Sequence, residues 1–260
     1  MNRKILFFLF VLLVGCDFSP PLNKKILEAQ GLISAQKYQK AIDKYLEVLQ
    51  RNPSLEAKVK ILYQVGDLYS LYLNKPEKGL KYFREILGET DDPLWLVRSE
   101  EKIADINFQN LRNFKNSYLS YKKLTDFRPS LEKKDFYEYH MGLSLHKNNQ
   151  FNEAIEVFDN IARNANNPYM EEALFHIALS YFQLKDWDQA SKFLRTFIRR
   201  AKRRDRIVEA KYLLANVYET TEQLKQAYDL YYSILGEYPN TRVLRNRLEA
   251  IYQRKVVRKR

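Results

Sequence analysis

Six times along the chain a small residue is followed, four and seven positions later, by large side chains. The small positions are Ala41, Gly79, Ser117, Ala154, Ala190 and Ala227. Four residues on lie Tyr45, Phe83, Tyr121, Phe158, Leu194 and Tyr231, and seven on lie Val48, Ile86, Leu124, Ile161, Phe197 and Ile234. Three residues before each small position stands Tyr38, Pro76, Phe114, Phe151, Trp187 or Leu224. Offsets of three, four and seven fall on one helical face, so each segment predicts an amphipathic helix buried along that stripe. The spacings between the small positions are 38, 38, 37, 36 and 37 residues.

A second small-and-large pair recurs upstream, as Gly66 with Tyr69, Gly142 with Leu145, Ala178 with Tyr181 and Ala215 with Tyr218. Each unit therefore predicts two antiparallel helices, the small side chains admitting close approach and the large ones filling the groove. The pattern resembles the tetratricopeptide repeat, which closes its second helix with a proline. Pro53, Pro129 and Pro239 take that closing place, with Pro93 and Pro168 two residues beyond it. The resemblance implies an all-α fold, a right-handed superhelical solenoid of about six helix pairs over residues 23–240. A basic C-terminal capping helix and tail follows over 241–260. The units exceed the usual 34 residues. Pro76 and the stretch from Asn110 to Asn113 predict enlarged turns in units two and three, and unit five has no closing proline. The first helix of unit one is marked only by Ile26, Ala29, Leu32 and Ile33.

Ahead of the repeats, Arg3 and Lys4 precede ten uninterrupted apolar residues, Ile5 to Val14. Ten residues make a helix roughly 15 Å long, about half a bilayer core, which fits a secretory signal peptide better than a span. Leu13-Val14-Gly15-Cys16 resembles the bacterial lipobox. That resemblance implies removal of residues 1–15, lipid on Cys16, and a lipidated tether over 16–22. Asp17 resembles the inner-membrane retention signal of enteric lipoproteins, which leaves the choice of membrane open. The expected location is the bacterial cell envelope, facing periplasm or exterior.

Cys16 is the single cysteine and histidine occurs three times, which leaves no internal disulfide and no cysteine-based zinc site. His140 and His176 hold equivalent places in neighbouring units and are expected to pack, since a metal needs further ligands. No phosphate-cradling glycine loop or serine-centred elbow is present. The expectation is a protein without catalytic residues, metal or cofactor, apart from covalent lipid.

Charge is uneven. Residues 16–194 hold 25 basic and 25 acidic residues, whereas 195–260 hold 17 basic and 7 acidic ones. The excess forms a candidate basic patch from Arg199, Arg200, Lys202, Arg203, Arg204 and Arg206, with Arg254, Lys255, Arg258, Lys259 and Arg260 at the tail. Export argues against nucleic acid. Anionic lipid, cell-wall polymer or an acidic protein face remain as partners, beside a merely solvated basic end.

In tetratricopeptide proteins the first helices line a concave surface. Carrying those positions over gives a partner-binding groove of Tyr139, Leu143, Phe175, Leu179, Phe182 and Tyr212, with Gln30, Asp67, Glu101 and Asp105 as polar counterparts in units one to three. A register off by one residue would turn the aromatic positions into interior packing. The outline of lipobox, tether and repeats is similar to the tetratricopeptide lipoproteins of outer-membrane β-barrel assembly, and to those that pilot secretin, pilus or motility complexes. The expected function is therefore a lipid-anchored envelope adaptor for proteins or peptides.

Overall fold

The computed structural model describes residues 21–258, and every regular element among them is a helix. The first pair is α1 (Pro21–Ser34) and α2 (Tyr38–Leu49), followed by α3 (Leu55–Asp67) with α4 (Pro76–Glu89) and α5 (Pro93–Asp105) with α6 (Phe114–Asp126). Then come α7 (Lys134–Lys147) with α8 (Phe151–Arg163), α9 (Met170–Gln183) with α10 (Trp187–Arg200), and α11 (Arg204–Thr220) with α12 (Leu224–Ser233). A last helix, α13 (Thr241–Arg258), closes the series. The six expected pairs and the terminal helix are all present, and α1 opens two residues ahead of the expected start at 23.

The chain forms two compact units that meet in sequence within α4, one ending at Tyr82 and the other beginning at Phe83. In the first, Ala29, Ala41, Ile42, Tyr45, Val48 and Val65 form the core, with Ile26, Leu32 and Ile33 packed against it. In the second, successive clusters run from Ala104, Tyr121 and Leu124 through Phe158 and Ile177 to Leu194 and Phe197. The series ends where Leu244, Leu248 and Ile251 of α13 cover Ala227 and Tyr231 of α12 and Ile234 just after it. The spacing of those α13 residues makes a single apolar stripe, which is how a terminal helix can cap a repeat stack with a polar outer face.

All twelve residues at the four- and seven-residue offsets are buried, as are the six small positions. The glycines show why small residues stand there. A Cβ on Gly79 would lie 2.8 Å from the Gly66 carbonyl oxygen, and one on Gly142 would lie 2.7 Å from the Phe158 ring.

Each pair turns through one residue of positive φ: Gln36, Asn74, Arg112, Asn149, Lys185 and Glu222. Every one stands five residues before the small position of its unit, and none is glycine. In the pair α9/α10 the Lys185 amide donates to the Phe182 carbonyl and the Asp186 amide to the Tyr181 carbonyl. That is a Schellman closure, which satisfies carbonyls left over at the helix end. Units one, four and six repeat it at Gln36, Asn149 and Glu222.

Units two and three widen the closure by one residue. Their first helices end in π-helical turns at Leu68–Tyr72 and Ile106–Asn110. The return bonds run from the Lys75 amide to Tyr69 and from the Asn113 amide to Asn107. The added residue lies in these π turns, upstream of Pro76 in unit two and meeting the expected stretch Asn110 to Asn113 only at Asn110 in unit three. Pro76 and Pro93 open α4 and α5 at the helix start, where a missing N–H costs nothing.

Candidate functional site

The first helices carry the polar and aromatic positions expected to face a partner. On α5, Glu101 and Asp105 stand one turn apart and therefore share a face. The Tyr121 hydroxyl of α6 donates to Asp105 Oδ1 at 2.8 Å, and the Tyr137 hydroxyl of α7 donates to Glu101 Oε1 at 2.5 Å. Burial and the neighbouring carboxylates push both phenols well above their ordinary range, so they stay protonated and keep donating. Lys133 Nζ reaches Glu101 Oε1 at 3.0 Å. These groups, with Lys102, Phe136 and Tyr169, line a cavity of about 380 Å³. Phe136 meets Tyr137 at 5.8 Å and Tyr169 at 6.5 Å between ring centroids, both near edge-to-face, so the aromatic wall has a corner.

The Tyr121 contact recurs in one other pair. In the last pair the Tyr231 hydroxyl donates to Asn216 at 2.8 Å and to Glu219 at 3.1 Å. Tyr231 and Tyr121 occupy the same repeat position, and the backward reach to the first helix differs by the one residue of the π turn. Glu101 and Asp105, expected as polar groove positions, line the cavity beside α5, which the periodicity alone does not reveal. A signal for it exists in the sequence: a tyrosine at the four-residue offset faces a carboxylate or amide one helix earlier.

The six expected groove residues do not make one exposed aromatic strip. Phe175 is a correction: it is 1% exposed, packed between α9, α10 and α11, with the Arg206 guanidinium 4.1 Å above its ring. It can offer a partner no surface. The other five are half-buried. Tyr139 stacks on Tyr169 at 4.7 Å, and burial raises its hydroxyl to about 12. Tyr212 stacks on Tyr238 at 4.4 Å, and Phe182 meets Trp187 edge-on at 5.3 Å. Leu143 and Leu179 pack against the cores of their own pairs. A register shifted by one residue makes interior packing the competing role, and at Phe175 that role wins.

The histidines are packing residues. His176 stacks on Phe158 at 5.2 Å and meets His146 at 5.8 Å, while His140 lies 4.1 Å from Phe136. The close pair is thus His146 with His176, whereas His140 and His176 flank Tyr139. Desolvation lowers His146 to about 4 and His176 to about 3, so both are neutral near pH 7. Among the described residues no group of three or more His, Cys, Asp or Glu is placed to hold a metal.

The basic residues divide into paired and unpaired sets. Arg203 binds Asp205, Arg204 binds Glu237, Arg206 binds Glu209, and Arg254 binds Glu219 and Glu222. Arg199, Arg200 and Lys202 are exposed at the end of α10 and just after it, without a carboxylate partner among the described residues. Lys255 and Arg258 fall on α13, while Lys259, Arg260 and the lipidation candidate Cys16 lie outside the described residues. No helix among those described is long and apolar enough to cross a membrane.

Repeated helix pairs with small-on-large packing define the class of fold, and two family models agree. Residues 177–240 match the tetratricopeptide repeat, and residues 110–197 match the family described as anaphase-promoting complex, cyclosome, subunit 3. The fold is of the tetratricopeptide-repeat type. Three solved structures show the likeness. The C-terminal part of a repeat-containing protein from Cytophaga hutchinsonii has a TM-score of 0.65 at 16% identity, over 87% of each chain. A structure of Naa15/Naa10 bound to HypK-THB has a TM-score of 0.65 at 16% identity, covering 89% of this chain but 34% of that one. PilW, described as a widely conserved type IV pilus biogenesis factor, has a TM-score of 0.51 at 15% identity, over 90% of this chain and 99% of that one. At such identities the likeness is of fold. Comparison with curated proteins finds no match.

Proposed function

We propose that this chain is a lipid-anchored adaptor of the bacterial cell envelope that binds a protein partner on the first-helix side of its repeats. The observation that carries the binding reading is the cavity beside α5 and α7, whose carboxylates are held in place by buried phenols. Preorganised polar groups beside aromatic walls are what a recognition surface needs, since little ordering remains to be done on binding. The anchoring reading rests on the lipobox-like run ending at Cys16 and on the apolar segment before it. Several acyl methylenes, at about 0.8 kcal/mol each, hold a protein at a bilayer. A role in outer-membrane protein assembly fits this outline. A pilotin-like role for a secretin, pilus or motility complex is the second reading, and the PilW-like fold over nearly the whole of both chains favours it.

Two measurements test the proposal. Cys16→Ala is expected to abolish fatty-acid labelling and release the protein from membranes; a variant that still labels and sediments with membranes refutes the anchor. A photoreactive amino acid at Lys102, which lines the cavity, is expected to give a covalent adduct with another envelope protein in cells. Absence of any adduct there refutes the adaptor reading.

A further inference from the structure

The cavity beside α5 also indicates what it holds. We infer that it takes the guanidinium of an arginine carried by an extended segment of the partner protein, an inference that rests on the adaptor reading. Three features point to a planar cation. Two carboxylates lie on one face of α5, and each accepts a hydrogen bond from a buried phenol that holds it in place. The Tyr121 hydroxyl donates to Oδ1 of Asp105, and a carboxylate offers further lone pairs on both oxygens. The aromatic corner of Phe136 and Tyr169 supplies a flat surface beside these acceptors. Guanidinium groups lie flat on rings and meet carboxylates through a planar fork of donors, whereas an ammonium meets either one as a compact point charge.

The chain itself shows a cation in this position. Lys133 places its ammonium 3.0 Å from Glu101, and its side chain is 65% exposed. So exposed an ion pair is worth little and is readily exchanged. An incoming arginine can therefore displace Lys133 and gain both Glu101 and Asp105, with stacking in addition. The volume, about 380 Å³, lies at the small end of the ~300–1,000 Å³ typical of ligand pockets and suits one long side chain. The protein as a whole carries a formal charge of +12, so it repels cationic peptides in general. Binding of one would have to be local.

The test is fluorescence polarisation of a fluorescein-labelled octapeptide of alternating Arg and Ser, titrated with the full chain in non-ionic detergent. The same peptide with Glu replacing Arg is the counter-probe. The Arg peptide is expected to bind, and the Glu peptide is not. The double variant Glu101→Gln with Asp105→Asn, which keeps shape and removes charge, is expected to weaken binding at least about tenfold, as loss of charge-assisted contacts does. Lys133→Gln is expected to tighten it, because it removes the internal competitor. A cavity built for an anion predicts the reverse for Lys133→Gln, so the sign decides between them. Equal binding by the double variant, weaker binding by Lys133→Gln, or preference for the Glu peptide overturns the inference. Should the double variant lose helical signal, Lys133→Gln still decides the matter. If the peptide fails while the Lys102 adduct still forms, the adaptor reading stands and only the arginine assignment falls.

Discussion

At Lys185 the backbone has a φ of 59°, a conformation that costs a residue with a Cβ roughly 1–2 kcal/mol. Its side chain is exposed. Lys185→Gly is therefore expected to raise stability by about 0.5–1 kcal/mol, the strain relieved less the entropy glycine loses on folding, as read from denaturant midpoints. A destabilised variant would show that the lysine contributes more than its backbone strain. A second residue-scale effect comes from buried His146 and His176. Their neutral forms are favoured in the folded state, by desolvation first and then by nearby cations. Above about pH 6.5 neither state takes up protons here; below it the unfolded chain does and the folded one resists, so stability falls as pH drops toward about 4 and 3. The loss is on the order of 1–3 kcal/mol per histidine. His176→Phe is expected to lose less stability than the wild type between neutral and mildly acidic pH, by chemical unfolding at each. Equal losses would exclude the histidine as a source of acid sensitivity.

Helix pairs depend on contacts that the residue pattern shows only in part. Gly79 was legible as a small position, and its place against the Gly66 carbonyl and Ser70 supplies the reason. The obstacle to a larger residue is partly backbone, which gives way less readily than a side chain. Gly79→Ala is expected to destabilise by about 1–3 kcal/mol through overpacking, whereas Gly31→Ala, with open space around it, should not. Thermal unfolding of the two variants checks this, and similar melting temperatures would refute the packing account. The π turns at Leu68–Tyr72 and Ile106–Asn110 were foreshadowed only as enlarged turns near Pro76 and Asn110 to Asn113. Periodicity counts residues between buried positions. It does not say whether a surplus residue widens a loop or the last helical turn, since either keeps both stripes in phase.

For the whole chain, the basic excess and the proposed anchor at Cys16 lie toward opposite ends of the sequence. The excess of basic residues begins at Arg195, yet five arginines there are already tied to carboxylates of the same region. What remains for an anionic surface is centred on Arg199, Arg200 and Lys202, and their neutralisation is expected to reduce salt-sensitive binding to anionic vesicles. No change on neutralising them would leave this end merely solvated. The repeat count, the buried stripe of each second helix and the small-on-large packing were readable from the sequence, because burial repeats every 36–38 residues and each residue type reports its own solvation. The candidate site was not readable in the same way. Tyr121 and Tyr137 have the composition of core residues, and their 1% and 2% exposures agree. Their hydroxyls nevertheless reach the carboxylates of α5. Whether an aromatic ring on a first helix faces a partner, as expected of Phe175, or lies under Arg206 depends on rotation about the helix axis. Neighbouring helices set that rotation through side-chain volumes that act together, so it emerges only when the pairs are packed.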